Sequence, residues 1–174
     1  MLDLFKDLML AVQDFRDLIR YLMAHPFLTE VALAGPFSPT AAFAVELANP
    51  IETKGVTWTW PVVGAPGRIP LPAAKMEGAA TAYLAAQVTA PTALRTRLQL
   101  GAAYPVQVWL NGKKVYEGKP DTGPTAPDQV GIDVDLQAGG NRLLFQATYQ
   151  GSNEMLYARL LDPQRRLQYP EFKK

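Results

Sequence analysis

The chain has 174 residues, with 17 Lys+Arg against 16 Asp+Glu, a single His and no Cys. That length suits one domain with a modest appendage, and a net charge of +1 leaves no cationic excess to neutralise phosphates, so nucleic acid is not an expected partner. The absence of Cys excludes disulfides, thiolate metal sites, a Cys nucleophile and haem attached through C-x-x-C-H.

Met1 to Ala24 carries Asp3, Lys6, Asp7, Asp14, Arg16, Asp17 and Arg20, too much charge for the apolar core of a signal peptide or for a spanning helix. No membrane insertion is expected. Leu4, Leu8, Ala11, Phe15, Leu18 and Leu22 recur at steps of three and four, with Phe5, Val12 and Ile19 widening the stripe. The spacing predicts an N-terminal amphipathic helix that ends before Pro26, with a break near Met9 to Val12 as the alternative. Residues 1–28 are therefore read as a helical segment and 29–174 as a separate β domain. A lone helix of this length is marginal in water, so its stripe docks on that domain or on a partner.

From Thr29 onward the period changes to two. Leu94, Thr96, Leu98 and Leu100 alternate with Arg95, Arg97 and Gln99; Val106, Val108 and Leu110 with Gln107 and Trp109; Ile132, Val134 and Leu136 with Asp133 and Asp135. Further strands are expected over Glu30 to Ala34, Val56 to Val63, Thr81 to Thr89, Lys114 to Tyr116, Leu143 to Tyr149 and Met155 to Leu161. Gly-Pro and Gly-Gly pairs punctuate them. Asn111-Gly112 sits between two of these runs, and both residues tolerate the positive φ of a two-residue type I′ turn. The segments Ala48 to Thr53, Gly64 to Met76 and Gly118 to Asp128 read as surface loops. Many short strands with no helical pattern between them predict a mainly β chain, an antiparallel sandwich or barrel.

Several segments together carry a family resemblance. They are Gly35-Pro36-Phe37, Trp58 and Trp60, Arg68-Ile69-Pro70-Leu71, Ala82-Tyr83, Leu98-Gln99-Leu100-Gly101, the run from Val108 through Tyr116, Asp128 through Leu136 leading into Gly140-Asn141-Arg142-Leu143-Leu144, and Tyr157-Ala158-Arg159-Leu160. In this order they resemble a galactose-binding-like jelly roll over about residues 29–163. The resemblance is to accessory modules of secreted bacterial glycoside hydrolases and of planctomycete-type haem-containing dehydrogenases. It implies a non-catalytic module that binds carbohydrate or a neighbouring protein domain, in a periplasmic or extracellular setting. The run Asp14 to Leu22 resembles the closing helix of a c-type cytochrome domain, but with no C-x-x-C-H no haem role passes to Met9 or Met23. Modules of this kind often hold a structural calcium ion; Asp121 and Asp128 are the first ligands to examine, and no other cofactor is expected.

Side-chain catalysis is weakly supported. His25, before Pro26 at a helix end, suits capping of the last carbonyls better than catalysis. Ser38 and Ser152 lie outside any G-x-S-x-G, and Asp133 with Asp135 read as the wet side of a half-buried strand, not as a glycosidase pair. Aromatic rings are the stronger signal, because the C–H face of a sugar stacks on Trp or Tyr while amides take its hydroxyls. Trp58 and Trp60 share one side of their expected strand and read as core. Trp109 lies opposite Val108 and Leu110, which makes it an exposed platform or a contact for the N-terminal helix. Tyr149 precedes Gln150-Gly151-Ser152-Asn153, an aromatic beside amides. The expected ligand-binding residues are Trp109, Tyr149 and Asn153, no catalytic residue is expected, and the alternative function is a structural or protein-interaction domain that holds a neighbour in place.

Overall fold

The computed structural model describes residues 15, 27–38, 46–64, 67–74, 78–119, 123–151 and 153–171. The expected N-terminal helix, its cytochrome-like run, His25, Asp121 and Ser152 lie outside the described residues, Phe15 alone excepted.

Among the described residues nine strands form two antiparallel sheets: β1 (Val31–Phe37), β2 (Ile69–Pro70), β3 (Ala80–Ala90), β4 (Leu94–Gly101), β5 (Val106–Leu110), β6 (Lys113–Gly118), β7 (Val130–Leu136), β8 (Gly139–Tyr149) and β9 (Met155–Leu160). One sheet has the order β1-β3-β8-β5-β6 and the other β2-β9-β4-β7. Every connection between successive strands crosses from one sheet to the other except the β5–β6 hairpin. Crossing is what makes the alternation matter, because each strand must present one apolar face to the opposite sheet.

The core is the sum of those faces. Leu84, Ala86 and Val88 of β3, Leu98 and Leu100 of β4, Val106 and Val108 of β5, Ile132 and Val134 of β7, and Leu143 and Phe145 of β8 meet inside, each at most 8% exposed. Burying each Leu, Val or Phe stabilises by roughly 1.5–3 kcal/mol, so the shared interior dominates the fold.

The hairpin forms as expected: Asn111 (φ 52°) and Gly112 (φ 81°) turn β5 into β6 with Leu110 opposite Lys113. A bulge follows, with the register shifting between Val108–Tyr116 and Trp109–Lys114. The extra residue Val115 puts Lys114 and Glu117 on one face, where they form a 2.8 Å ion pair that a regular strand would not allow at this spacing.

Three segments correct the expected layout. No strand forms over Val56 to Val63; this stretch meets β1 at a single antiparallel bridge, Thr59 to Leu33. Trp58 is 8% exposed and Trp60 40%, so the two rings do not share an environment: alternation needs a continuous ladder, and one bridge does not impose it. Within the expected loop Gly64 to Met76, Ile69 and Pro70 pair with Leu156 and Met155 as the short edge strand β2. The Gly139-Gly140 pair, read as punctuation, opens β8 opposite Thr89 and Ala90.

Candidate functional site

The outer face of the five-stranded sheet carries two kinds of surface. Ala32 and Ala34 of β1, Tyr83 and Ala85 of β3, Leu144 of β8 and Trp109 of β5 point away from the core and pack with Trp58 into a second apolar cluster, joined by Phe37, Ile51 and Val56. The segment from about residue 46 to 60 crosses this face and covers it. Trp109 is accordingly 8% exposed, with the Lys114 ammonium 5.4 Å from its ring centroid. An exposed stacking platform at Trp109 is thus corrected to a ring enclosed by the covering segment, because that segment inserts Trp58 among the alanines.

Along the same face toward the β5–β6 turn the surface becomes polar. Gln87 stands opposite Arg142 and Thr89 opposite Gly140, and the side chains of Gln87, Thr89 and Arg142 point outward because the intervening Val88 is fully buried. Ala48 borders this surface on one side and Pro170 on the other; Gln168 holds the C-terminal segment there through two backbone bonds with Thr89, of 2.8 and 3.0 Å. Asn111 and Gln137 close the end of a groove of about 360 Å³.

A buried amide organises that end. Asn141 is 1% exposed and uses its whole side chain: Oδ1 accepts from Asn111 Nδ2 and from the Gln137 backbone N–H, both at 2.9 Å, while Nδ2 donates to the carbonyls of Gln137 (2.9 Å) and Gly139 (3.1 Å). Asn111 is tied to β8 again, its Oδ1 accepting from the Arg142 N–H at 2.8 Å and its own N–H donating to the Arg142 carbonyl at 2.9 Å. Arg142 Nη1 donates to the Ala48 carbonyl at 3.2 Å, which ties the covering segment to the groove wall. Fully satisfied buried amides are rigid, so the groove is pre-shaped before any ligand arrives.

The opposite end of the sandwich carries the other expected residues. Tyr149 points inward, 2% exposed, its ring centroid 5.8 Å from that of Tyr104 and its hydroxyl donating to the Pro72 carbonyl at 2.6 Å. Burial, with a smaller contribution from the Glu154 carboxylate, pushes this phenol up to about 12. The expected aromatic-beside-amides arrangement is corrected here: Tyr149 pairs with Ala80 in the register that points its side chain into the core, so no ring face is open to a sugar. Asn153 (φ 76°) is exposed and lines a separate groove of about 360 Å³ with Val62, Arg68, Pro70 and Met155. The structure therefore does not bring Trp109, Tyr149 and Asn153 together.

Other candidates resolve into structure. Asp133 pairs with Arg97 at 2.9 Å and Arg95 at 3.4 Å across β4–β7, and the Arg97 bond holds its carboxyl below the usual aspartate range. Asp128 gives both carboxylate oxygens to the buried guanidinium of Arg159, with Nε to Oδ1 at 2.9 Å. That carboxylate is committed to a cation, and among the described residues no three His, Cys, Asp or Glu side chains gather in a metal-binding group. No helix among the described residues is long and apolar enough to cross a membrane.

The polar groove was missed by sequence reading because Gln87, Gln137 and Arg142 sit at ordinary solvent-facing positions. One signal was available: Asn141 falls in phase with the inward Leu143 and Phe145, so alternation alone buries an amide there, and a buried amide needs partners.

No protein-family model and no curated protein matches the chain. Solved structures do share its architecture. A β-glucuronidase from Ruminococcus gnavus in complex with uronic deoxynojirimycin aligns with a TM-score of 0.50 at 10% identity, over 79% of this chain and 29% of that one. Family 35 carbohydrate binding modules from an environmental isolate (TM-score 0.44, 16% identity, 64% of this chain and 82% of that one) and from Clostridium thermocellum (0.43, 14%, 79% and 96%) are also similar. At 10% identity the likeness to the β-glucuronidase is one of fold: the chain is a mainly β protein of two packed antiparallel sheets.

Proposed function

We propose that the chain is a galactose-binding-like jelly roll acting as a non-catalytic carbohydrate-binding module of an extracytoplasmic multidomain protein. Its glycan lies in the groove between Ala48 and Pro170. The observation that carries this reading is the pre-shaped polar groove itself. Gln87, Thr89, Gln137 and Arg142 offer outward amide, hydroxyl and guanidinium groups on a surface whose frame is locked by Asn141. Amides and Arg are the side chains that match pairs of sugar hydroxyls, each offering two spaced donors or acceptors, and a rigid frame reduces the ordering cost of binding. The similarity of the ordered motifs to accessory modules of glycoside hydrolases supports the same class of ligand.

The test is affinity electrophoresis and a glycan array with the native chain, Gln87→Ala and Arg142→Ala. Binding to a defined set of glycans that falls at least severalfold in both variants, with melting unchanged, supports the reading. Binding unaffected by either substitution contradicts it.

A further inference from the structure

Asn111 and Gly112 form the β5–β6 turn, and Asn111 also closes one end of the polar groove. An asparagine followed by glycine is chemically exposed, because no side chain shields the glycine nitrogen from the asparagine's own side-chain carbonyl. We propose that Asn111 is a deamidation site held in check by its bonds to β8, and by Asn141 above all. In the reaction the Gly112 nitrogen loses its proton and attacks Asn111 Cγ. The new C–N bond forms as the Cγ–Nδ2 bond breaks, ammonia leaves with the proton, and water opens the resulting succinimide to aspartate or isoaspartate.

The geometry opposes each part of this. Asn111 Nδ2, the leaving nitrogen, is engaged with Asn141 Oδ1 at 2.9 Å, and Asn111 Oδ1 accepts the Arg142 N–H at 2.8 Å. Both bonds draw the side chain toward β8, and Cγ reaches the Gly112 nitrogen only after both have broken. The Asn111 backbone N–H, bonded to the Arg142 carbonyl at 2.9 Å, fixes the turn on which the attack would occur. Asn141 cannot drift from its place, since Gln137 and Gly139 occupy its remaining donor and acceptor capacity.

The product changes the groove. Aspartate at 111 has no N–H for Asn141 Oδ1, so two acceptors face each other, and its negative charge stands beside Arg142, the one charged side chain among the described lining residues. Isoaspartate in addition lengthens the turn backbone. Aging at this position therefore cancels the groove's charge irreversibly.

The full chain is incubated at mildly alkaline pH, folded and in urea, and converted peptides are quantified by mass spectrometry with isoaspartate detection, a readout indifferent to glycan binding. In urea, Asn111 converts ahead of Asn153, which precedes Glu154. In the folded chain the Asn111 rate falls by about tenfold or more, the scale set by two protecting hydrogen bonds. Asn141→Leu, which removes the acceptor, speeds Asn111 conversion severalfold. Equal folded and urea rates overturn the proposal, as does a native rate in folded Asn141→Leu. Should Asn141→Leu fail to fold, the folded-against-urea comparison decides alone.

Discussion

The outer faces of the two sheets obey the same alternation and end up chemically different. On the four-stranded sheet the outward side chains of β4 and β7 form a solvated ladder in which Asp133 meets Arg95 and Arg97. Beside it Arg159 is 1% exposed, sandwiched between the Asp128 carboxylate and the Phe27 ring 4.8 Å away. On the five-stranded sheet the outward side chains include Tyr83, Leu144 and Trp109, which the segment carrying Trp58 covers, while the groove around Arg142 stays open. A strand pattern tells which side chains leave the core; it does not tell whether something else covers them.

That contrast can be broken in several places. The largest effect is expected from Trp58→Ala, which empties the second apolar cluster: about 3–5 kcal/mol of stability lost in urea melts, the usual range for deleting a buried aromatic. Because Trp58 Nε1 is buried with no hydrogen-bond partner among the described residues, Trp58→Phe costs less than its lost area suggests. A melt of Trp58→Ala matching the native curve would show that the covering segment does not seal this face.

On the other sheet, Asp128→Asn removes the negative charge that both Asp128 oxygens bring to the buried Arg159 guanidinium, and the cost is expected near 3 kcal/mol, discounted from the fully buried case because Asp128 is 26% exposed. A neighbouring substitution separates packing from charge. A Cβ at Gly101 would stand 1.8 Å from the Ala126 carbonyl oxygen, so Gly101→Ala forces the 123–128 loop away at about 1–3 kcal/mol while both charges remain. If the two variants lose the same stability and their double mutant loses no more, the ion pair acts only by holding that loop.

Tyr149 provides a smaller effect with a distinct pH signature. Its phenol ionises at higher pH folded than unfolded, so the associated stability is fully present below the ordinary tyrosine range and is lost as pH rises toward about 12. Tyr149→Phe removes the bond to the Pro72 carbonyl, costs about 1–2 kcal/mol at neutral pH, and flattens the alkaline decline. An alkaline limb as steep as the native one would place the titrating group elsewhere.

The smallest effect belongs to the exposed ladder. Asp133 has a depressed carboxyl, so its contribution is present above the ordinary aspartate range and lost as pH falls through the folded value. Asp133→Asn should leave neutral stability almost unchanged and shallow the acid limb, an effect that salt screens.

The sandwich was legible because its strands alternate so strictly: β4, β5 and β7 sit where the sequence puts them, and Asn111-Gly112 makes the turn its residue types demand. The covering segment was not legible. Val56 to Val63 has strand composition, yet it meets β1 at one bridge, and nothing local distinguishes a strand from a strap laid across alanines. The candidate site failed at Tyr149 for a related reason: an aromatic at a strand end can turn in or out, and the register with Ala80 turns it in. Arg159 shows the converse, an outward charge on β9 that Phe27 and Asp128 bury.

The central claim is that glycan binds the polar groove on the outer face of the five-stranded sheet. Titration of one array-selected glycan into the native chain, the Gln87→Ala/Arg142→Ala double variant and Asn153→Ala, followed by calorimetry, tests it most directly. The account predicts that the double variant loses binding while Asn153→Ala keeps the native affinity. Loss in Asn153→Ala with native affinity in the double variant would move the site to the opposite end of the sandwich and contradict it.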